Sequence, residues 1–237
     1  VDAVGLYLKQ FDVGKSLIIA DATGIGKGRE AGGVIRHAVM EGYLPIFFTQ
    51  KVKLFSDIYR DLKAIDLTNI DPFILNTDSQ AKIKDSDGSV VFSSLSSAEQ
   101  KELLTSSETV ATDSDRAIAY YKSIGRDLPD PEKEPELTIT NVIDHLPSEY
   151  DMIFSTYSQL QSAAPYKYLW LKAICEEVQL GRSRFKGVVF VLDECHTIGS
   201  HETLIGQAML SLLSRSHCCC FLSATFAKYP EVMPIYA

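Results

Sequence analysis

The sequence predicts an α/β fold, a mostly parallel sheet with helices on both faces. Short apolar runs rich in β-branched and aromatic residues recur along the chain, and helical patterns lie between them. With 237 residues, 46% of them hydrophobic, the chain can fill one large packed core. Strand alternating with helix makes βαβ units, and those units make a parallel sheet.

The runs SLIIA (16–20), LPIFFT (44–49), DMIFST (151–156), KGVVFVLD (186–193) and CCCFLSA (218–224) are bounded by Gly, Pro or polar residues and read as buried strands. Helices are expected over 27–41, 53–65, 166–179 and 203–214; in the second, Leu54, Ile58, Leu62 and Ile65 share one face. Residues 78–149 break the rhythm. They are rich in Ser, Thr, Asp and Glu, and the stretch DLPDPEKEPE (127–136) has little to bury, so the segment reads as a polar surface insertion in a single domain spanning 1–237. Within it a helix is expected from Ser96, which has capping-box spacing to Glu99, and another near 114–124; SVVFS (89–93) is a short strand available to the sheet. No internal repeat is visible.

Composition excludes several classes. No apolar run approaches the roughly 18 residues of a membrane span, and VDAVGLYLKQ has no basic stretch ahead of a long apolar one, so an intracellular chain without a membrane partner is expected. The lack of an initiating Met reads as a chain cut from something longer. A net charge of −8 argues against coating nucleic acid by charge alone but leaves room for a local basic track. The five cysteines show no C-x-x-C spacing, and consecutive Cys218, Cys219 and Cys220 point to alternate faces of a strand, which suits small core side chains better than a metal site.

Chemistry is concentrated in three places. DATGIGKGRE (21–30) follows an apolar strand and opens a helix, the context of a phosphate-binding loop. Thr23, Gly24, Ile25, Gly26, Lys27, Gly28 and Arg29 form the expected nucleotide cradle: the glycines let backbone N–H groups curl round a phosphate, the helix N-terminus adds positive potential, and Lys27 brings a point charge to the terminal phosphates. Two parts differ from the usual G-x-x-x-x-G-K-[ST] loop, since Asp21 replaces the first Gly and Gly28 the hydroxyl that meets Mg²⁺. The second place is GVVFVLDECH (187–196), an apolar strand ending in Asp193, suited to hold Mg²⁺ through oxygen, and Glu194, suited to polarise an attacking water. The third is FLSATF (221–226), with Ser223 and Thr225 at the end of another strand. His196 is placed to link the second element to the third. His201 and Glu202 open a zinc-protease pattern, but Ile205 stands where its second His belongs.

In this order, glycine loop, Asp-Glu-x-His, Ser-Ala-Thr, the chain resembles the first, RecA-like motor domain of superfamily-two helicases. It is similar in more detail to the strawberry notch family of helicase-like ATPases, whose cradle G-D-G-x-G-x-G-K-G-R is represented by ADATGIGKGR (20–29), with Ala20 and Ala22 in place of glycines. FSTYSQL (154–160), FKGVVFVLDECH (185–196) and LSATFAKYPEVMPIYA (222–237) extend the likeness, which covers about 1–65 and 150–237. The resemblance implies ATP and Mg²⁺ as ligands, with Lys27, Asp193 and Glu194 catalytic and His196, Ser223 and Thr225 coupling the motifs. It further implies nucleic acid, DNA or RNA, met as a single strand by Thr49, Lys51, Lys53, Thr156 and Tyr157, although Lys51 and Lys53 also suit a solvated helix start. A second motor lobe, absent from this chain, is the expected partner. The competing reading is a catalytically silent module that docks within a larger assembly.

Overall fold

The computed structural model describes residues 2–20, 26–77, 81–123, 126–161, 165–224 and 235–236. Helix α1 (Asp2–Phe11) leads into β1 (Leu17–Ile19), α2 (Lys27–Met40), β2 (Leu44–Thr49), α3 (Leu54–Ala64) and β3 (Pro72–Leu75). The insertion follows, with β4 (Lys82–Lys84), β5 (Val90–Ser93), α4 (Ser97–Leu104), β6 (Thr105–Ala111), α5 (Asp115–Ser123) and β7 (Glu136–Val142). After it come β8 (Met152–Thr156), α6 (Pro165–Gln179), β9 (Val188–Asp193), α7 (Leu204–Leu213) and β10 (Cys218–Leu222).

The main sheet has six parallel strands in the order β1-β10-β9-β2-β8-β3. Each central strand is buried on both faces, which is why β9 reads VVFVLD with no polar alternation. Side chains alternate between two cores. Ile46, Phe48, Phe190 and Leu192 pack with Trp170, Leu171 and Ile174 of α6 and Met209 and Leu212 of α7. Phe47, Val189 and Val191 pack on the opposite face with Tyr7 of α1, Val34 and Ile35 of α2, and Phe55 and Leu62 of α3. Cys219 joins the first core, Cys218 and Cys220 the second, and all five thiols are free and buried. Burial pushes the Cys219 thiol up to about 11, far from a reactive thiolate.

The insertion differs from its sequence reading in two respects. The short strand available to the sheet, β5, instead pairs antiparallel with β4 in a separate two-stranded ribbon, and β6 pairs with β7 in another. The segment also buries Ile83, Leu104, Leu137, Ile139 and Leu146, so it is packed down and not only spread over the surface. Its first helix starts as the spacing predicts: Ser96 Oγ accepts from the Glu99 amide at 3.3 Å while the Ser96 amide donates to Glu99 Oε2 at 2.8 Å. No helix among the described residues is long and apolar enough to cross a membrane.

Candidate functional site

Parallel α/β sheets gather their ligands at the carboxyl ends of the strands. Here Thr49 ends β2, Thr156 ends β8, Asp193 ends β9, and Ser223 directly follows β10. The start of α2 lies on the same edge, because β1 is hydrogen-bonded beside β10 and runs into it.

Gly26 caps α2 with φ 99 and ψ 17, a left-handed conformation that glycine adopts without strain. Its carbonyl accepts from the Arg29 amide at 2.9 Å, so the helix begins at once, and Lys27 is its first residue. Lys27 Nζ is buried and has no hydrogen-bond partner among the described residues. A buried ammonium without an acceptor is costly, and an anion delivered to it removes the cost. Gly28 lies in the same first turn, beside Asp61 of α3, and Arg29 is exposed. Of the expected cradle, Thr23, Gly24 and Ile25 lie outside the described residues, as does Thr225 of the third motif.

Asp193 is held from two sides. Thr49 Oγ1 donates to its Oδ2 at 3.0 Å, and the Tyr157 hydroxyl donates to its backbone carbonyl at 2.8 Å. Burial raises the Asp193 carboxyl above the usual range; the Thr49 hydrogen bond opposes that, the neighbouring Glu194 charge adds to it, and Lys27 pulls it back down. Lys27 and Asp193, 166 positions apart by number, therefore share one electrostatic environment. Glu194 sits at φ 50 and ψ 42, left-handed for a residue with a side chain. The turn it starts is tied by Thr197, whose amide and hydroxyl both donate to the Glu194 carbonyl, at 3.0 and 2.9 Å.

His196 stands between two motifs. Its Nδ1 lies 3.2 Å from Glu194 Oε2 and 2.8 Å from Ser223 Oγ. With its proton on Nδ1 the ring donates to the Glu194 carboxylate; with the proton on Nε2 the same nitrogen accepts from the Ser223 hydroxyl. One proton position thus connects the end of β9 to the end of β10.

The expected nucleic-acid track divides. Thr49, Thr156 and Tyr157 are buried and use their hydroxyls inside the fold, Thr156 accepting from Asn76 Nδ2 at 3.0 Å, and so are not surface donors in this conformation. Lys51 and Lys53 are exposed at the start of α3. Lys53 borders a groove of about 590 Å³ whose other basic residues, Arg60 on α3 and Lys82 and Lys84 on β4, were not singled out in the sequence. Sequence reasoning also missed Lys167, wholly buried on α6 with Nζ donating to Thr77 Oγ1 at 3.2 Å and to Gln159 Oε1. Burial pulls its ammonium down to about 8. No spacing pattern marks such a residue; a lysine between apolar residues of a helix was the only hint.

A lysine with a buried Nζ at a helix start, a left-handed glycine capping that helix and two acidic residues at the end of another strand define a P-loop NTPase of α/β, RecA-like fold. Residues 12–233 match the family model described as "P-loop containing NTP hydrolase pore-1", and the chain belongs to that family. Solved structures similar to the chain include a nuclease-deletion mutant of the Type ISP restriction-modification enzyme LlaGI in complex with a DNA substrate mimic, 15% identical with a TM-score of 0.49 over 96% of this chain. Others are the Sulfolobus solfataricus SWI2/SNF2 ATPase core in complex with dsDNA, 14% identical, TM-score 0.48 over 99%, and a hypothetical ATP-dependent RNA helicase from Sulfolobus tokodaii, 12% identical, TM-score 0.47 over 98%. This chain spans 17%, 34% and 48% of those chains, respectively. Comparison with curated proteins returns no match.

Proposed function

We propose that this domain hydrolyses ATP as the first motor lobe of a helicase-like protein of strawberry notch type, with residues 78–149 as an insertion in that single lobe. The observation that supports this best is the meeting of three segments distant in sequence: Lys27 with its unpartnered buried Nζ, the Asp193–Glu194 pair, and His196 in reach of both Glu194 and Ser223.

The residues fit a nucleoside triphosphate with its divalent cation. Lys27 gives the terminal phosphates a cation already stripped of water, where its charge acts most strongly. Asp193, oriented by Thr49 and Tyr157, supplies carboxylate oxygen to Mg²⁺. When bound, Mg²⁺ neutralises charge building on the phosphate oxygens. Glu194 takes the proton from the attacking water, and His196 carries that change of charge to Ser223, giving the hydrolysis step a route to the chain after β10. Exposed Lys51 and Lys53 contact a nucleic-acid backbone, and a second lobe completes the cleft.

The test uses the longest natural chain. Glu194→Gln should bind ATP normally and lose hydrolysis by on the order of a hundredfold or more, the typical contribution of a positioned base. Lys27→Ala should abolish the rise in melting temperature that ATP and Mg²⁺ give the wild type, because that rise reports binding. Undiminished hydrolysis by Glu194→Gln would remove Glu194 from the mechanism, and a wild type whose melting ignores ATP would leave the docking-module reading in front.

A further inference from the structure

The loop that carries Lys51 leaves the sheet right beside Asp193, and a buried hydroxyl joins the two. Thr49 is the last residue of β2, which lies between β9 and β8 in the sheet. It is wholly buried, and its Oγ1 donates to Asp193 Oδ2 at 3.0 Å. Lys51 stands two residues further on, exposed, and its carbonyl accepts from the Leu54 amide at 3.0 Å, which ties the loop to the start of α3. Whatever grips Lys51 therefore acts two residues from the hydroxyl that holds the carboxylate.

The main chain of Asp193 is fixed separately. Tyr157, the first residue after β8, donates its hydroxyl to the Asp193 carbonyl at 2.8 Å while its ring stacks on Phe48, with centroids 5.6 Å apart and planes at 17°. Phe48 is the residue before Thr49, so the ends of β2, β8 and β9 are locked together around this one acidic residue. With its backbone held, Asp193 feels a shift of Thr49 at its carboxylate. A threonine hydroxyl has a single proton to give, so the shift makes or breaks one bond.

We propose that the Thr49–Asp193 hydrogen bond couples the 50–53 loop to the nucleotide site: a nucleic-acid backbone held by the loop changes how Asp193 meets the nucleotide with its cation, and the nucleotide changes the loop's grip in return. Thr49 is then a positioning residue, on a route separate from the one through His196 and Ser223. The proposal rests on the reading of this domain as an ATP-hydrolysing lobe that contacts nucleic acid through Lys51. Coupling between two sites is reciprocal, since each ligand must alter the other's affinity by the same factor. A hydroxyl that only supports the fold makes no such demand: its loss weakens either ligand without altering how one affects the other.

The experiment uses the longest natural chain. Anisotropy gives the affinity of a labelled single strand with and without a non-hydrolysable ATP analogue and Mg²⁺, and a second titration gives the affinity of the analogue with and without the strand. In the wild type the two ratios should agree and fall at roughly 5–150-fold, the usual size of coupling between sites. Thr49→Val keeps the shape, removes the donor, and should bring both ratios toward one. Thr49→Ala makes the same loss with no branched side chain to misfit, so a folding defect in one variant leaves the other to decide. Thr49→Ser restores the donor and should restore the ratios. A wild-type ratio of one with both ligands bound, or wild-type ratios in the Val and Ala variants, overturns the coupling and leaves the functional reading standing. A Ser variant as uncoupled as the Val variant overturns it too, because the methyl group and not the hydroxyl would then matter. A wild type that fails to bind the strand or the analogue overturns the functional reading itself, and the proposal with it.

Discussion

Glu194 is the residue whose backbone most clearly departs from ordinary preference, at φ 50 in a chain where the only other described non-glycine residue with positive φ is Asp66. That conformation costs a residue with a side chain roughly 1–2 kcal/mol. Glycine adopts it freely, so Glu194→Gly should stabilise the fold by up to about 1 kcal/mol in urea melts, part of the relief being offset by added freedom of the unfolded chain, while hydrolysis is lost. A less stable variant would show that the side chain, through His196, holds the turn and not the reverse. Asp193 carries a cost of another kind. Its carboxyl is raised in the folded state chiefly by burial, so between its unfolded and folded values the native protein binds more protons, and stability contributed at this site falls as pH rises through that window. Asp193→Asn keeps an oxygen for Thr49 and cannot ionise. The variant should therefore melt higher than wild type at pH 7, with the difference shrinking toward the acid side of the carboxylate range. A difference that is constant with pH would assign the effect to packing.

At the level of elements, one side chain fastens the insertion to the sheet. Gln100 of α4 is wholly buried, and its Nε2 donates to the carbonyls of Asn76 at 2.7 Å, Leu95 at 3.0 Å and Ile74 at 3.3 Å. Gln100→Leu fills the space but strands those carbonyls, and should cost about 1–3 kcal/mol, the penalty for leaving buried acceptors unmet. Denaturant titration gives the loss, and amide exchange at β3 should quicken with it; an unchanged midpoint would mean that water replaces the amide. This contact was invisible in the sequence, as were several elements. The five strands named from their apolar runs all form: β2, β8, β9 and β10 because strands buried on both faces must be continuously hydrophobic, and β1 at the sheet's edge, where Ile18 stays exposed. β3 escaped notice because it is four residues long and begins with Pro72, and that is tolerable only because it is an edge strand paired with β8 alone. β6 and β7 escaped because TSSETVA and ELTITNV form an exposed two-stranded ribbon with few buried positions. Of the candidate site, the motifs pointed to Lys27, Asp193, Glu194, His196 and Ser223. Spacing could not tell that Thr49 and Tyr157 turn inward to Asp193, or that Asp61 fills the space beside Gly28, since both follow from how helices and strands pack.

Across the whole molecule, a net charge of −8 repels a nucleic-acid strand at long range, yet the groove beside α3 is locally basic. Of its acidic residues, Asp57 is paired with Arg60, and Asp85 accepts from Lys63 at 2.6 Å, which leaves Lys53, Lys82 and Lys84 without an ion pair among the described residues. If the groove extends the track begun by Lys51, binding is short-range, independent of sequence and strongly salt-dependent. Lys82→Glu combined with Lys84→Glu should then weaken binding of a labelled single strand to the full-length protein, measured by anisotropy, and should flatten the salt dependence by roughly 0.7 in the log–log slope for each phosphate no longer neutralised. Charge reversal also makes the whole protein more acidic, so a control of equal net charge is needed. Lys101→Glu with Lys133→Glu serves, because both lysines are exposed in the insertion and neither borders the groove. Loss confined to the groove pair, with a flatter slope, identifies the ribbon formed by β4 and β5 as part of the strand's path. Equal loss from both pairs would mean that the molecule senses only total charge, and the insertion would have no part in holding nucleic acid.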